Sequence, residues 1–508
     1  MTARNMGTAT SLLIETAERR PGATFAAFLV IHGLIWTALP GLLYANLPLD
    51  LIEALTYGRE WQLGYDKLPP LPWWMVEVVY RIFGFDTAFY ALAQIAVIIA
   101  FLAVWRTARP LVGATGALVA VLIIDGLHYF NFTAAKFNHD VIQLPFWALA
   151  GFAFHAGLRR GRLAHWILLG AALGLALWAK YFVVVLAAPL LLFLLLDREA
   201  RSTLATPGPW IAATVALCVM TPHLVWLVRN DFLPLHYAEA RAAPAQGPFD
   251  HLLHPIEYLG GQLFFLIPAL VIAAPLVWPR AKTAIAADAM PADAFDRRIV
   301  TLLAFGPAST LLALTLFTGR GTVTMWGYPL WLFLGLWIVV FAPGALDRAR
   351  LARSCALWAA VFTILALGFI ADYTVLPALD HRYRSAFYPG DRLAAVLTQR
   401  FTAATGRDPA YIIASMWNGG NVAHYSAAHP QPRVLIDGLP RRAPWIDLAD
   451  LRTRGAVVVW TDGDLQALPA SFAPVAAGAE VGVPFDVPYR RGDRVLHVGW
   501  AILRPQSR

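Results

Sequence analysis

Asp50-Leu51-Ile52-Glu53 is followed, thirteen residues after Glu53, by Asp66-Lys67-Leu68-Pro69-Pro70-Leu71-Pro72-Trp73-Trp74. This stretch lies directly behind an apolar run of about 23 residues, long enough to cross a bilayer. Asp50 and Glu53 stand three apart, so on a helix they share one face. A carboxylate held at a membrane boundary and partly desolvated can take a proton from a hydroxyl nucleophile. Ordinary solvated loop acids would show the same spacing. In the second cluster the prolines fix the backbone and the tryptophans suit the interface, so Lys67 is held at a defined depth. There it is a point-charge partner for a lipid phosphate, unless it only snorkels from a helix end. A transporter needs no such ensemble in a loop between its first two spans; an enzyme acting on an anionic lipid does.

The composition agrees. Hydrophobic residues make up 58% of the 508 and charged residues 14%, and the mean hydropathy is +0.57. Soluble domains hold about 45–50% apolar and about 25% charged residues. Cys218 and Cys355 both fall in hydrophobic segments, which argues against a disulfide framework or a cysteine metal site. The formal charge of +8 is spread over loops between spans instead of gathered in a patch, so no nucleic acid partner is implied. Met1 to Arg20 is polar and basic, and the run behind it exceeds a signal-peptide core. It reads as an uncleaved anchor.

Eleven candidate spans lie near 22–44, 88–105, 110–127, 141–158, 164–179, 181–196, 209–228, 258–278, 299–318, 323–341 and 354–371. With the N-terminus cytoplasmic, the inner segments carry seventeen lysines and arginines, Arg4, Arg280 and Lys282 among them, and the outer loops carry eight. That is the expected bias, and it puts the first outer loop, 45–87, and the C-terminus outside the cytoplasm. The sequence thus predicts a transmembrane domain over 1–371 and an extracytoplasmic domain over 372–508. The latter alternates a helix near Asp391–Ala404 with β-rich runs at 411–414, 433–436, 456–460 and 495–503, an α/β pattern with its own core. Trp417-Asn418-Gly419-Gly420 and Thr461-Asp462-Gly463-Asp464 read as turns.

Other polar residues gather on the same outer side. Asp125 to Asp140 packs two acids, two histidines and a lysine into one loop. His139 and Asp140 are candidate ligands of a divalent metal, together with an acid from the first loop; cavity lining or, for Asp140, a helix cap is the plainer reading. Lys180 separates two apolar runs, and a lysine at mid-bilayer would cost about 2.5–3.5 kcal/mol, so an outer turn is expected. Arg320 occupies a similar turn. Both are candidates for holding a phosphate.

These motifs resemble the bacterial family 39 glycosyltransferases, a group with the GT-C membrane fold that includes the lipid A aminoarabinose transferase and the protein O-mannosyltransferases. The resemblance rests on Asp50-x-x-Glu53, on Asp66-Lys67 with Pro69-Pro70-Leu71, on Asn138-His139-Asp140, on the Lys180 turn and on Met325-Trp326-Gly327-Tyr328-Pro329-Leu330. Asp66 and the inserted Leu68 depart from the commoner Glu-Lys-Pro-Pro. The resemblance implies inverting transfer of a sugar from a polyprenyl-phosphate carrier to an envelope acceptor on the extracytoplasmic face of the bacterial inner membrane. The acceptor would be lipid A, lipopolysaccharide core, another glycan or protein. Asp50 would be the general base, Lys67 with Lys180 or Arg320 would hold the phosphate, and Asp66, Asp140 and Glu53 would position substrate or a metal. A flippase for a lipid-linked glycan would show inverted repeats, and none is found. A glycan polymerase or ligase would carry more arginines in its large outer loop than Arg229 and Arg241 in 229–257.

Overall fold

The computed structural model describes residues 15–242, 244–277, 292–343 and 346–506. Arg4, Arg280 and Lys282 of the charge count lie outside them. Among the described residues, seven helices are long and apolar enough to cross a membrane. These are Pro21–Leu43, Thr87–Asp125, His139–Arg160, Pro207–Arg229, Asp250–Val277, Ala294–Thr318 and Arg348–Thr374. An eighth is gained if Tyr181–Leu196 and Arg198–Ala205, bent by 81°, count as one. Large apolar side chains such as Leu191, Leu196, Phe264 and Phe317 face outward, a surface that water would penalise and lipid does not. The chain is a polytopic helical membrane protein.

The expected spans differ from these helices where the chain is broken or short. Spans 88–105 and 110–127 form one 39-residue helix interrupted at Gly113, which is non-helical at φ 71, ψ 172. Span 164–179 is the 17-residue Leu163–Ala179 helix, at the lower limit of what reaches across hydrocarbon. Span 323–341 becomes a 3-10 turn at Thr324–Gly327 and an eight-residue helix at Leu334–Phe341.

Two compact units divide the chain. The first holds residues 15–39, Lys67–Leu71 and Tyr90–Phe369. The second holds Pro40–Asp66, Pro72–Phe89 and Ile370–Arg508, so most of the first outer loop is grouped with the C-terminal segment.

The second unit is built on a six-stranded sheet of order β2-β1-β3-β6-β4, with β5 pairing β6. The strands are β1 Tyr411–Ala414, β2 Arg433–Ile436, β3 Ala456–Trp460, β4 Glu480–Val481, β5 Phe485–Pro488 and β6 Val495–Leu503. β1 runs parallel to β2 and β3, whereas β6 is antiparallel to β3, β4 and β5. Ile413, Leu435, Val458 and Ala501 form its core. The Gly390–Thr405 helix buries Leu393, Ala394, Leu397 and Phe401, one stripe of an amphipathic helix.

One expected turn is a helix instead. Met416–Tyr425 forms ten helical residues, and Ser415 caps them by accepting from Asn418 N. The two glycines are there for contact. A Cβ on Gly419 would lie 2.6 Å from Val434 Cγ1 on β2. A Cβ on Gly420 would lie 2.5 Å from Thr56 Oγ1 and 2.6 Å from Ile52 Cγ2. The Leu49–Gly58 helix of the first loop is thereby seated directly on Met416–Tyr425.

Candidate active site

In the second unit the chain turns at Pro48, in extended conformation, and enters the Leu49–Gly58 helix with Asp50 in the first turn. Free N–H groups at a helix N-terminus complement a carboxylate. Asp50 is half-buried and Glu53 is buried. The face they share continues to Tyr57, seven residues on from Asp50. Its hydroxyl donates to Asp66 Oδ1 at 2.9 Å, and its ring stacks on Trp73 with centroids 4.4 Å apart. Burial, then the negative charges of Asp66 and Glu53, hold the Tyr57 phenol well above its ordinary value of 10.0. It therefore stays a hydrogen-bond donor at any working pH.

Arg442 completes this cluster. Its Nε donates to Asp66 Oδ2 at 2.7 Å, Nη1 reaches Asp437 at the end of β2, and Nη2 donates to Tyr57 Oη at 3.3 Å. Both oxygens of Asp66 are thus engaged within the unit. The sequence offered Asp66 as a substrate-positioning residue; in the structure its carboxylate also links the first loop to the C-terminal segment through Arg442. On another flank of the Leu49–Gly58 helix lies a polar cavity of about 330 Å³, bordered by Arg59, Glu60, Glu77, His424 and Arg433. Glu60 pairs with Arg433 there and Glu77 with Arg81.

In the first unit the centre is an ion pair. Lys180 Nζ lies 2.6 Å from Asp140 Oδ1, with the side chains 12% and 11% exposed. Gln143 Nε2 donates to the same oxygen at 2.8 Å. Asp140 is not the helix cap: Asn138 is, accepting from Val141 N at 3.1 Å, which leaves the Asp140 carboxylate for Lys180. Lys180 itself is the extended residue between the helix ending at Ala179 and the turn at Tyr181–Val183. Its ammonium lies 5.8 Å from the Phe182 ring centre and 5.7 Å from that of Trp326, which adds cation–π attraction. Trp326 belongs to the Met325–Leu330 motif. That segment is fixed by Tyr129, which donates to Thr324 O at 2.9 Å, and by Gln262.

The remaining candidates are distributed around the Leu233–Arg241 helix. Lys67 Nζ sits over the Tyr237 ring at 5.3 Å, and Arg320 pairs with exposed Glu239 at 2.9 Å. His139 Nε2 contacts Pro69 O at 3.2 Å, which ties the proline segment to the start of His139–Arg160. His139 and Asp140 are the candidate metal ligands. Their contacts include a carbonyl, a lysine and an amide, and no group of three or more His, Cys, Asp or Glu able to hold a metal occurs among the described residues. Asp125, counted with the loop acids, is buried. It accepts from Trp358 Nε1 at 2.6 Å and lies 2.9 Å from His32, which no sequence pattern had singled out.

Tyr57 and Gln143 were within reach of helical periodicity, at i+4 from Glu53 and i+3 from Asp140. Arg442 was not, because it meets Asp66 across 376 residues of chain.

A family model for dolichyl-phosphate-mannose-protein mannosyltransferase matches residues 67–226. The lipopolysaccharide core galacturonosyltransferase RgtA of Rhizobium johnstonii is 26% identical over 98% of this chain and 100% of its own length. The lipid A galacturonosyltransferase RgtD of the same organism is 28% identical over 34% of this chain and 37% of its own. ArnT from Cupriavidus metallidurans, solved bound to undecaprenyl phosphate, superposes with a TM-score of 0.59 at 14% identity, covering 94% of this chain and 97% of that one. Its apo structure gives a TM-score of 0.56 at 15% identity, covering 94% and 98%. The fold is therefore GT-C, and over nearly its whole length the chain is similar in sequence to a lipopolysaccharide glycosyltransferase.

Proposed function

We propose that this protein transfers a galacturonosyl residue from a polyprenyl-phosphate carrier to the lipopolysaccharide core or lipid A. The observation that carries the sugar and the acceptor is the full-length match to a lipopolysaccharide core galacturonosyltransferase. The distribution of lysine and arginine supports an inner-membrane protein with its N-terminus cytoplasmic and its C-terminal unit periplasmic.

In this reading the acceptor hydroxyl oxygen attacks the anomeric carbon as the carbon–oxygen bond to phosphate breaks, with inversion. Asp50 takes the hydroxyl proton. Polyprenyl phosphate departs as an anion, and cations that meet the developing charge lower the barrier. Lys67 is the phosphate partner, supported by its placement on the rigid Pro69–Pro72 segment. Lys180 contributes a second positive charge, held in place by Asp140. Arg320, strapped to Glu239, positions the Leu233–Arg241 helix and its Tyr237. Glu53 and Asp66 position the Asp50 helix.

The test is turnover by the purified protein in lipid with a panel of polyprenyl-phosphate sugars and a lipopolysaccharide acceptor. Release of polyprenyl phosphate from the galacturonic acid donor is expected, and Asp50→Asn should reduce it by about 10²–10⁴-fold while donor binding persists. Normal turnover by a folded Asp50→Asn protein would remove Asp50 as the base. Exclusive use of a neutral sugar would remove the galacturonosyl assignment.

A further inference from the structure

Directly behind the last long helix, Arg348–Thr374, a short helix Pro377–Asp380 leads into His381-Arg382-Tyr383-Arg384. The β5–β6 hairpin presents Arg490-Arg491-Gly492-Asp493-Arg494 to the same place in the second unit. Together they enclose a cavity of about 360 Å³, lined by His381, Arg382, Arg384, Arg491 and Arg494, with Asp493 as the one acid among the lining residues.

These arginines are not equivalent. Arg384 is held by Asp372 at 2.9 Å and Asp380 at 2.8 Å, and it keeps the Asp380 carboxyl down at about 2. It is the frame of the pocket. Arg382, Arg491 and Arg494 are exposed and make no ion pair among the described residues. Arg491 lies over the Phe387 ring at 5.3 Å, and Arg494 over Tyr383 at 5.0 Å and Tyr489 at 5.6 Å. Arg491 also donates from Nη1 to the Tyr373 carbonyl, which fixes it in place; ring stacking orients a guanidinium without neutralising it, so the remaining N–H donors stay available to an oxyanion.

The chain on either side of Pro377, which lines the cavity, is apolar. Val375, Leu376 and Leu379 are exposed, the last at 69%, within two turns of the end of a membrane-spanning helix. Water would penalise such side chains at this position and acyl chains would not. Arginines close in sequence to exposed apolar side chains behind a membrane-crossing helix match an anionic lipid headgroup.

We propose that this pocket binds a phosphate or carboxylate on the sugar headgroup of the acceptor glycolipid and so selects charged acceptors. The assignment of the ligand as acceptor rests on the transferase reading above. Arg382, Arg491 and Arg494 grip the oxyanion while Val375, Leu376 and Leu379 meet its acyl chains.

The experiment is native mass spectrometry of the full-length protein from nanodiscs. It compares retention of phosphorylated lipid A, its dephosphorylated form and phosphatidylglycerol, with acceptor kinetics measured in parallel. Wild type should hold phosphorylated lipid A about tenfold or more tightly than the dephosphorylated form. Arg382→Gln with Arg494→Gln should abolish that preference and raise the acceptor KM, leaving the donor KM unchanged. Because Arg494 also stacks on two tyrosines, Arg382→Lys with Arg494→Lys is the companion variant, and it should restore part of the preference. An unchanged preference in the glutamine variant overturns the proposal. So does equal, arginine-dependent retention of phosphatidylglycerol, which would mark a general membrane anchor. Selective lipid A binding by a wild type that transfers no sugar upholds the pocket and overturns the transferase reading. Transfer with unaltered acceptor KM in the glutamine variant does the reverse.

Discussion

Asp140 and Lys180 illustrate what single residues decide here. Each is nearly buried, and each is the other's counter-charge. Removing one partner of such a pair leaves a charge with nothing to offset its desolvation, at a cost of about 3–5 kcal/mol, whereas replacing both with apolar groups is often neutral. Asp140→Leu should therefore lower the melting temperature in detergent markedly. Adding Lys180→Met should recover most of that stability and recover no activity, because the positive charge proposed to face the phosphate is gone. Recovery of activity by the double variant would show the pair to be purely structural.

His128 makes a pH-dependent contribution at the same scale. Burial, and then the nearby Lys136, push its imidazole down from 6.5 to about 4, and its ring stacks on Phe132. The folded value lies below the unfolded one, so the unfolded chain takes up the proton first. The stabilisation is complete above pH 6.5 and drains away as pH falls toward 4. The hydrogen-exchange protection factor across 126–137, which is corrected for the intrinsic pH dependence of exchange, should fall between pH 7 and 5 in the wild type. In His128→Phe, which keeps the stack, it should stay flat over the same interval.

At the scale of elements, the docking of Leu49–Gly58 on Met416–Tyr425 sets the Asp50 helix in place. Gly420→Ala would push a methyl group to 2.5 Å from Thr56 Oγ1 and 2.6 Å from Ile52 Cγ2. The expected cost is about 1–3 kcal/mol of overpacking, with lowered turnover. Thermal unfolding and kcat of the variant check this, and unaffected turnover would mean that the helix–helix seat does not position Asp50.

Elements were legible where the pattern was local. β1, β2, β3 and β6 and the Gly390–Thr405 helix stand where apolar alternation and helical periodicity put them. β4 and β5 escaped because they are short and separated by Gly482-Val483-Pro484, which reads as a break. The helix at Met416–Tyr425 was read as a turn because glycine usually ends helices, whereas here it admits a neighbour. The candidate site follows the same rule. Asp50 with Glu53, and the Lys67 segment, declare themselves within a few residues. The pairing of Asp66 with Arg442 joins distant stretches of chain, which no local spacing encodes.

At the scale of the whole molecule, the second compact unit is not a simple C-terminal appendage. It draws in Pro40–Asp66 and Pro72–Phe89. Deleting 370–508 should therefore disturb the first outer loop as well. It removes the helix on which Ile52 and Thr56 pack and the arginine that holds Asp66. Limited trypsin digestion of the truncated protein in lipid should cut at Arg59, a bond protected in the full chain, and transfer should be lost. A truncate that resists cleavage there and transfers normally would show the first loop to be self-supporting.

The Asp66–Lys67 peptide bond gives this mixed arrangement a practical edge. Asp66 is tethered by Tyr57 and Arg442 in one unit, and Lys67 begins a five-residue visit to the other. A chimera that grafts a foreign first unit onto this second unit must rejoin the chain at 39/40, 66/67, 71/72, 89/90 and 369/370, and two of those joints flank Lys67–Leu71. The quantity such a graft has to conserve is the number of residues in that crossing. A swapped side chain there changes one contact, but a gained or lost residue shifts the register of everything on one side of the seam.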